Sequence, residues 1–287
     1  MAILELACGG HSSSSTQTPV AADPATFSHV ILLVEENHSY SDVVGSSSMP
    51  YLNSLISQYG LATQYFADTH PSLPNYFVLT TGLVESNSDN FTGSVTDDNV
   101  VRELVKAGKS WKGYFESLPS PGYLGTDSGA YWRQHNPFAD LSDVQASSTQ
   151  AANIVPFTQF ATDLANNALP QYSFIVPNVD DDAHDGTLQQ ADSWLQTNIA
   201  PLLTNSAFQS GGLLIVTFDE AEDSDIENGG GHVATVIISP QAKKGYQSQT
   251  LYQHQSTLRM TLAGLGVNTF PGMSASAPDM SEFFTGH

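Results

Sequence analysis

The sequence predicts an α/β fold in three layers, with a mostly parallel central sheet packed between helices. Four short apolar runs end abruptly in polar residues, and such continuous apolar sequence is typical of strands that are buried on both faces. Helix-like segments lie between these runs, and alternating strands and helices are the pattern of a layered α/β domain. The four runs occupy residues 30–34, 174–176, 213–216 and 236–238.

The predicted helices are placed by their apolar periodicity and by the residues that end them. Glycine directly follows three of the four segments, and glycine favours the left-handed backbone at which helices commonly stop. The segments cover residues 49–59, 99–107, 188–203 and 256–265. Residues 119–153 are rich in Gly, Ser, Asp and Pro without strong periodicity, so we interpret them as an insertion over the sheet edge that forms part of a substrate lid.

The acidic composition limits the partners of the chain. Its 287 residues include 29 Asp and Glu but 8 Lys and Arg, which gives a net charge of −21. A phosphate backbone attracts cationic side chains and repels acidic ones, so nucleic acid is excluded as a partner. Hydrophobic residues make up 40% of the chain, which is enough for a sizeable core, and we predict one large domain over residues 28–287.

The amino-terminal residues 1–27 are predicted to form a flexible, Ser-rich linker. The sequence around Cys8, Leu-Ala-Cys-Gly, resembles the mature start of a bacterial lipoprotein, in which a lipid on the cysteine anchors the protein. We therefore expect a periplasmic or extracellular protein with a lipid anchor at Cys8. The apolar stretch before Cys8 is too short for a signal peptide, so the leader is expected to be absent from this chain. The alternative is an ordinary tail in which Cys8, the single cysteine, is incidental.

Acidic and amide side chains follow the predicted strands at the points where the strands end. Glu36 and Asn37 follow the first run, residues 180–185 follow the second, and Asp219 and Glu220 follow the third. The carboxyl ends of parallel strands share one sheet edge, where ligands bind in open α/β sheets. Carboxylates gathered there repel one another unless a cation neutralises them, so we predict a divalent metal site. Oxygen donors favour Mg²⁺, Ca²⁺ or Mn²⁺, while nearby histidines leave Zn²⁺ or iron open.

The segment His-Pro-Ser-Leu-Pro-Asn-Tyr at residues 70–76 is the sharpest local motif. Pro74 suits a first helical turn, which places Ser72 at or just before a helix N-terminus, where free N–H groups and the helix dipole favour an anion. As a plain N-cap Ser72 needs no further function. As a nucleophile it would need its alkoxide stabilised by a neighbouring metal, and Asn75 could then donate to the transferring phosphoryl oxygens.

Taken together, the motifs make the chain similar to the bacterial phosphoesterase family, which contains acid phosphatases, phosphatidylinositol-3-phosphate phosphatases and phospholipase C enzymes. The resemblance covers residues 28–265, and it implies the fold of the alkaline phosphatase superfamily. Each motif is weak singly, but their order and spacing are specific. The motifs are ENHS at 36–39, MPYLNSL at 49–55, HPSLPNY at 70–76, RQHNPF at 133–138, PN…DDAHD at 177–185 and FDE at 218–220.

The resemblance also implies a role for each matched residue. It implies that Ser72 is the nucleophile, forms a phosphoseryl intermediate and touches the metal, and that Asn75 steadies the transition state. It implies that His135 and His184 hold the phosphate or protonate the leaving group, with Asp185 as the orienting partner of His184. The implied metal ligands are Glu36, Asn37, Ser72, Asp219 and Glu220.

A second metal is the less favoured arrangement. His232 could complete a second site with Asp182 and His184, as in two-metal members of the superfamily, or it could line the pocket. We predict one divalent ion, with Mg²⁺, Ca²⁺, Mn²⁺ and Zn²⁺ left open.

The predicted function is a metal-dependent phosphomonoesterase, similar to acid phosphatases, that acts on a small phosphorylated substrate outside the cytoplasm. The first alternative is a phosphodiesterase of the phospholipase C type. The second is an exported lipoprotein that captures a metal or a phosphorylated ligand without turnover. A binding protein has no need of a serine at a metal-flanked helix start, so the motif at residues 70–76 favours the enzyme. The sequence leaves the oligomeric state open.

Overall fold

A computed structural model describes Met1 and residues 25–285, and this part of the chain contains one eight-stranded sheet. The strand order across the sheet is β4-β3-β5-β1-β6-β7-β2-β8. The predicted linker and the predicted lipid anchor at Cys8 concern residues that lie largely outside the described part. The strands are β1 (His29–Glu35), β2 (Gly60–Ala62), β3 (Trp111–Phe115), β4 (Ile154–Pro156), β5 (Tyr172–Val176), β6 (Gly212–Phe218), β7 (Thr235–Ile238) and β8 (Gln247–Ser248).

The sheet is parallel except for β7, which runs antiparallel to both β6 and β2. The prediction of an α/β fold with a mostly parallel central sheet is therefore confirmed. All four predicted apolar runs lie in strands, and β1, β5 and β6 at the centre are buried along nearly their whole length. The strands that the apolar runs do not reveal, β2, β3, β4 and β8, lie toward the sheet edges and have two to five residues each.

The four predicted helices are present with small changes at their ends. Residues 49–59 form a helix over Pro50–Gln58, and the helix predicted at 256–265 covers His254–Gly264. Asn99 caps the helix Val100–Lys106, because its side chain accepts a hydrogen bond from the backbone N–H of Arg102. The helices are α1 (Tyr40–Val43), α2 (Pro50–Gln58), α3 (Ser72–Thr81), α4 (Val100–Lys106), α5 (Ser142–Gln145), α6 (Ser148–Ala151), α7 (Thr158–Ala165), α8 (Leu188–Thr204), α9 (Ser206–Gln209) and α10 (His254–Gly264).

Helix α3 is the element that carries the central motif, and all ten of its residues are buried. It begins at Ser72, as the sequence predicts, and it ends at Gly82, whose φ of 73° is left-handed. A side chain at Gly82 would also meet the carbonyl oxygen of Pro271 at 2.5 Å, so glycine is required there. Burial on all sides fixes α3 firmly, and with it the position of Ser72.

Residues 119–153 connect β3 to β4 and contain four short helices. They are the 3₁₀ helices Arg133–His135 and Pro137–Asp140 together with α5 and α6. This connection brings His135 against the middle of α3, since Tyr76 and His135 stack with ring centroids 5.6 Å apart. Among the described residues no helix combines the length and the apolar character needed to cross a bilayer.

Candidate active site

The site is built where three central strands end side by side. Glu35 lies opposite Phe218 in the parallel register of β1 and β6, so the residues that follow these strands are neighbours. The backbone N–H of Asp219 donates to the carbonyl oxygen of Glu35 at 3.0 Å, which continues the ladder by one step. The N–H of Glu36 donates to the carbonyl oxygen of Asp182, beyond β5, at 2.9 Å. The strand ends thus bring three separate acidic segments together, as the sequence predicts.

Ser72 lies between two of these carboxylates. It is 2% exposed, and its hydroxyl oxygen is 3.2 Å from Oε2 of Glu36 and 3.1 Å from Oε1 of Glu220. A hydroxyl has one proton, so Ser72 can donate to only one charged carboxylate at a time. The arrangement gives the hydroxyl two alternative proton acceptors.

The helix start that presents Ser72 offers fewer free N–H groups than the sequence suggests. The N–H of Leu73 donates to Oδ1 of Asp89 at 2.9 Å, and Pro74 has no N–H. Of the first N–H groups of α3, that of Leu73 is therefore already occupied and Pro74 offers none. Neutralisation of a bound phosphate must come mainly from other groups.

Burial raises the pKa of each carboxyl group in the cluster. The pKa of Glu36 lies well above its ordinary value because the group is buried and because Asp219 and Asp182 add negative charge. Burial, together with the charge of Asp219, raises the pKa of Glu220 to about 9. Burial also raises the pKa of Asp219, although His135 acts in the opposite direction. Without a cation, Glu220 therefore holds a proton at neutral pH.

Two buried oxygen atoms in this cluster test whether a metal fits. Among the described residues, Oδ1 of Asn37 and Oδ2 of Asp219 have no hydrogen-bond partner. Asn37 adopts a left-handed backbone with φ of 52°, and its N–H donates to Oδ1 of Asp219 at 3.2 Å. Buried polar atoms without partners are costly, and a hard divalent cation would satisfy oxygen donors of this kind. The predicted ligand residues Glu36, Asn37, Ser72, Asp219 and Glu220 therefore fit such a cation in their chemistry.

His135 joins the cluster from the segment between β3 and β4. Its Nε2 lies 3.5 Å from Oε1 of Glu36, and its Nδ1 lies 3.5 Å from Oδ2 of Asp182. Burial lowers the pKa of His135 to about 4, so the ring is neutral at neutral pH. Tyr76 stacks on the ring and donates its hydroxyl to Oε1 of Glu36. Asp182 therefore contacts Glu36 and His135, and the donor atoms of these three residues lie within 4.8 Å of one another.

His184 and Asp185 form an accessible pair beside the buried cluster. Nδ1 of His184 lies 2.9 Å from Oδ1 of Asp185, and the two side chains are 24% and 52% exposed. The ring of His184 is 6.0 Å from that of His135 and 4.7 Å from that of Trp132. Asp185 therefore holds one ring nitrogen of His184, and the rest of this ring is partly accessible to solvent.

His232 does not belong to this group. Its ring is stacked between Tyr40 and Phe66 at 4.2 and 4.8 Å, and its Nε2 lies 3.1 Å from the carbonyl oxygen of Thr63. In residues 25–285, no cluster of potential ligand atoms combines Asp182, His184 and His232. The structure therefore does not bring His232 together with Asp182 and His184, because aromatic packing holds the imidazole between Tyr40 and Phe66.

Asn75 is not a free donor either. Its Oδ1 accepts hydrogen bonds from the N–H groups of Asp68 and Thr69 at 3.0 and 3.2 Å. Its Nδ2 donates to the carbonyl oxygens of Thr69 and Pro71 at 2.7 and 3.3 Å. The amide is thus fully used in holding the turn before α3, so the structure does not support donation to the phosphate. Asn75 instead positions the segment that carries Ser72.

His70 begins the central motif, but the sequence alone predicts no role for it. Its Nδ1 lies 2.7 Å from Oε2 of Glu220, and its Nε2 lies 2.9 Å from the carbonyl oxygen of Asp225. His70 therefore fixes the carboxylate of Glu220 from the side opposite Ser72. The only sequence signal for this contact is the position of His70 two residues before the serine.

Comparison with known proteins identifies the family. The model of the Phosphoesterase family matches residues 45–267. A phosphatidylinositol-3-phosphatase from Mycobacterium tuberculosis is 34% identical over 265 residues, which are 90% of this chain and 83% of that protein. An acid phosphatase from Aspergillus fumigatus is 35% identical over 81% of this chain and 53% of its own length. The chain therefore spans most of the mycobacterial relative and about half of the fungal one.

Solved structures show the same fold at low sequence identity. A protein of the alkaline phosphatase superfamily from Vibrio parahaemolyticus has a TM-score of 0.62 at 14% identity, over 90% of this chain and 73% of that one. A phosphonate monoester hydrolase of Agrobacterium radiobacter has a TM-score of 0.59 at 14% identity, over 90% and 77%. The alkaline phosphatase-like fold is confirmed. From the family match and the relatives we conclude that the chain belongs to the phosphoesterase family and is a hydrolase that acts on phosphoric ester bonds.

Proposed function

We propose that the chain is a metal-dependent phosphomonoesterase that hydrolyses a small phosphorylated substrate through a phosphoserine at Ser72. The observation that carries this proposal is the position of Ser72, which is fixed at the start of α3 between the carboxylates of Glu36 and Glu220. A serine in such a place is poised to lose its proton and attack. Relatives named as acid phosphatases support the monoester class.

One divalent cation is held by Glu36, Asn37, Ser72, Asp219 and Glu220 in this proposal. When bound, the cation lowers the pKa of the serine hydroxyl and neutralises charge on the phosphate. The unpartnered buried oxygen atoms of Asn37 and Asp219 support this ligand set. The all-oxygen donor set favours Mg²⁺, Ca²⁺ or Mn²⁺, and Zn²⁺ is also compatible with carboxylates.

The residues of the chain then act as follows. The hydroxyl of Ser72 passes its proton to Glu36 or Glu220 as its oxygen forms a bond to phosphorus and the ester P–O bond breaks. His184, oriented by Asp185, donates a proton to the departing ester oxygen. In the second step His184 takes a proton from water as that water attacks the phosphoserine, and the serine oxygen recovers its proton. Neutral His135 can donate a hydrogen bond to a phosphate oxygen throughout.

The place of action is also part of the proposal. We place the enzyme outside the cytoplasm, in the periplasm or the extracellular space, on the Ser-rich sequence of residues 1–27 and the lipoprotein-like sequence at Cys8. Incorporation of a labelled fatty acid into the protein expressed with its natural leader in a bacterial host, compared between the wild type and Cys8→Ser, tests the anchor. Equal labelling of the two would exclude it.

The test of the activity compares p-nitrophenyl phosphate with bis-p-nitrophenyl phosphate over about pH 4 to 9. Each substrate is assayed before chelation, after chelation, and after single metals are added back. Monoester hydrolysis that chelation abolishes and one metal restores is the expected result. Preference for the diester would instead indicate a phospholipase C-type phosphodiesterase. Bound metal without turnover of either substrate would leave an exported binding protein.

A further inference from the structure

A cavity of about 360 Å³ opens beside the proposed catalytic site. Its lining comes from two loops, residues 89–92 and 124–127, and from Arg133 and Gln134. Its volume lies within the roughly 300–1,000 Å³ of small-molecule sites. Neither Ser72 nor the carboxylates around it line the cavity, so it borders the site.

Two residues connect the cavity with the reacting groups. Asp89 lines the cavity and accepts the N–H of Leu73, the residue that follows Ser72, at 2.9 Å. Gln134 lines it and directly precedes His135, whose Nε2 is 3.5 Å from Oε1 of Glu36. These contacts place the cavity next to the segment that carries Ser72 and next to His135.

The charge of the cavity is negative. Arg133 is the single cationic residue of the lining, and its guanidinium is used by Asp140, with Nη2 at 2.5 Å from Oδ1 and Nη1 at 3.2 Å from Oδ2. One carboxylate oxygen of Asp89 accepts the backbone N–H of Leu73, and one of Asp127 accepts the backbone N–H of Arg133. Within the described residues their other oxygens accept no hydrogen bond. An anionic group in this cavity would thus meet two carboxylates without a free cation.

The rest of the lining mixes hydrogen-bonding groups with apolar surface. Four side chains, those of Asn90, Thr92, Thr126 and Gln134, make no hydrogen bond to other described residues. Amides and hydroxyls both donate and accept, as the hydroxyl groups of a polyol do. Phe91 and Leu124 add apolar surface against which the C–H faces of a sugar can pack. A cationic alcohol such as choline would use the acceptors but leave the donors unpaired.

We propose that this cavity binds the alcohol part of the substrate and selects an uncharged, hydroxyl-rich alcohol, such as a sugar or an alditol, over an anionic one. The proposal rests on the proposed function for the position of the scissile phosphate. It names Asp89 and Asp127 as the residues that reject anions, and the amide and hydroxyl side chains as those that recognise hydroxyl groups.

The test measures kcat/KM for four monoesters of primary alcohols. Glucitol 6-phosphate and 6-phosphogluconate form a matched pair, because both have six carbons and one phosphate and they differ in a terminal CH₂OH or carboxylate. Propyl phosphate and choline phosphate are the apolar and the cationic comparison. We expect glucitol 6-phosphate to be the best of the four and to exceed 6-phosphogluconate by at least about tenfold, given two unit charges within a few ångströms.

Two variants test the residues named. Asp127→Asn keeps an oxygen that can accept the N–H of Arg133 and removes the charge, and Thr92→Lys adds a cation at an exposed position of the lining. Each is expected to reduce the ratio of glucitol 6-phosphate to 6-phosphogluconate by about fivefold. The control Gln196→Lys makes the same charge change as Thr92→Lys on an exposed position of α8, and it should leave the ratio unchanged.

A ratio within about twofold of one for the matched pair, or a preference for propyl or choline phosphate, would overturn the proposal while p-nitrophenyl phosphate hydrolysis still upheld the phosphatase. If no monoester is hydrolysed, the phosphatase proposal fails by itself. Calorimetric binding of the same four esters to the Ser72→Ala protein then tests whether the cavity prefers an uncharged alcohol. Tighter binding of glucitol 6-phosphate than of 6-phosphogluconate would support it, and equal or reversed affinity would overturn it.

Discussion

Two buried carboxylates, Asp163 and Asp219, have opposite surroundings. Asp163, on α7, is bound by the ammonium of Lys112 at 2.5 Å, the hydroxyl of Tyr114 at 2.7 Å and the amide of Gln159 at 2.9 Å. Asp219 receives one N–H, that of Asn37, and its Oδ2 has no partner in the described part of the chain. Burial raises the pKa of both, but for Asp163 the three partners outweigh burial and lower it.

The difference separates a structural carboxylate from a functional one. The surroundings of Asp163 are complete, so its charge stabilises the fold. Those of Asp219 lack a positive charge, and its neighbours Glu36 and Glu220 have the same deficiency. Buried carboxylates whose pKa values are raised together mark a site that a ligand completes.

Removal of the nucleophile should have the largest effect. Ser72→Ala deletes the hydroxyl that lies between the carboxylates of Glu36 and Glu220. We expect kcat on p-nitrophenyl phosphate to fall at least about 10³-fold. Metal content, measured by atomic emission, and the thermal midpoint should stay close to the wild type. Ser193→Ala on the exposed face of α8 is the matched control. Substantial turnover by Ser72→Ala would remove Ser72 from the mechanism.

The same isosteric change at the two carboxylates should give opposite results. Asp163→Asn leaves Lys112 without its anion, so we expect a loss of about 3 kcal/mol in the free energy of unfolding and activity within about twofold of the wild type. Asp219→Asn should lower kcat by about 100-fold and weaken metal binding. It should not reduce the stability of the chelated protein, because it removes a charge that has no partner. Urea unfolding measures the stability of each variant, and metal titration measures its metal affinity. If Asp219→Asn destabilised the chelated protein, the contrast between the two carboxylates would be contradicted.

A smaller effect is expected at His70, which contacts the carboxylate of Glu220. His70→Ala removes the contact that holds Oε2 of Glu220, and we expect kcat and metal affinity to fall about tenfold. His70→Asn, whose amide can replace the Nδ1 contact, should recover part of both. If His70 matters only for folding, the two variants would lose stability without a change in metal affinity.

The sequence predicts the central part of the fold and most of the cluster, because both depend on local pattern. Strands β1, β5 and β6 are continuous apolar runs, and Glu36 and Asp219 follow directly from where these runs end. The helix start at Ser72 is similarly local, since Pro74 indicates it. Strands β2, β4 and β8 have two or three residues each, which is too short for a period to be visible.

The roles of Asn75, His232 and His70 could not be predicted, because each depends on which partner lies nearby in space. An asparagine near a nucleophile satisfies a phosphate or a turn equally well by sequence, and here the turn uses all of its amide. His232 follows three glycines in an acidic loop, but Tyr40, from 192 residues earlier in the chain, stacks on its ring. The contact of His70 with Glu220 spans a separation of 150 residues.

The smallest expected effect is the pH dependence of stability, which differs in sign between Glu220 and Asp163. The pKa of Glu220 is about 9 in the folded protein against 4.5 ordinarily, so the folded state binds a proton that the unfolded state releases. Stability from this group is therefore present below about pH 4.5 and is lost as the pH rises toward 9. For Asp163, whose pKa is lowered, stability is present above its ordinary value of 3.8 and is lost as the pH falls.

Chelated protein should accordingly lose stability between about pH 5 and pH 8, with up to about 1.4 kcal/mol per pH unit from Glu220 alone, and Glu36, whose pKa is also raised, adds to this loss. Metal-loaded protein should be nearly flat over this range, because the cation favours the charged carboxylate. Glu220→Gln should make the curve of the chelated protein less steep, while Asp163→Asn should leave that slope and weaken only the loss below about pH 4. A chelated wild type whose stability rises from pH 5 to pH 8 would show that these carboxylates are already charged without the metal, and the distinction between the two environments would then fail.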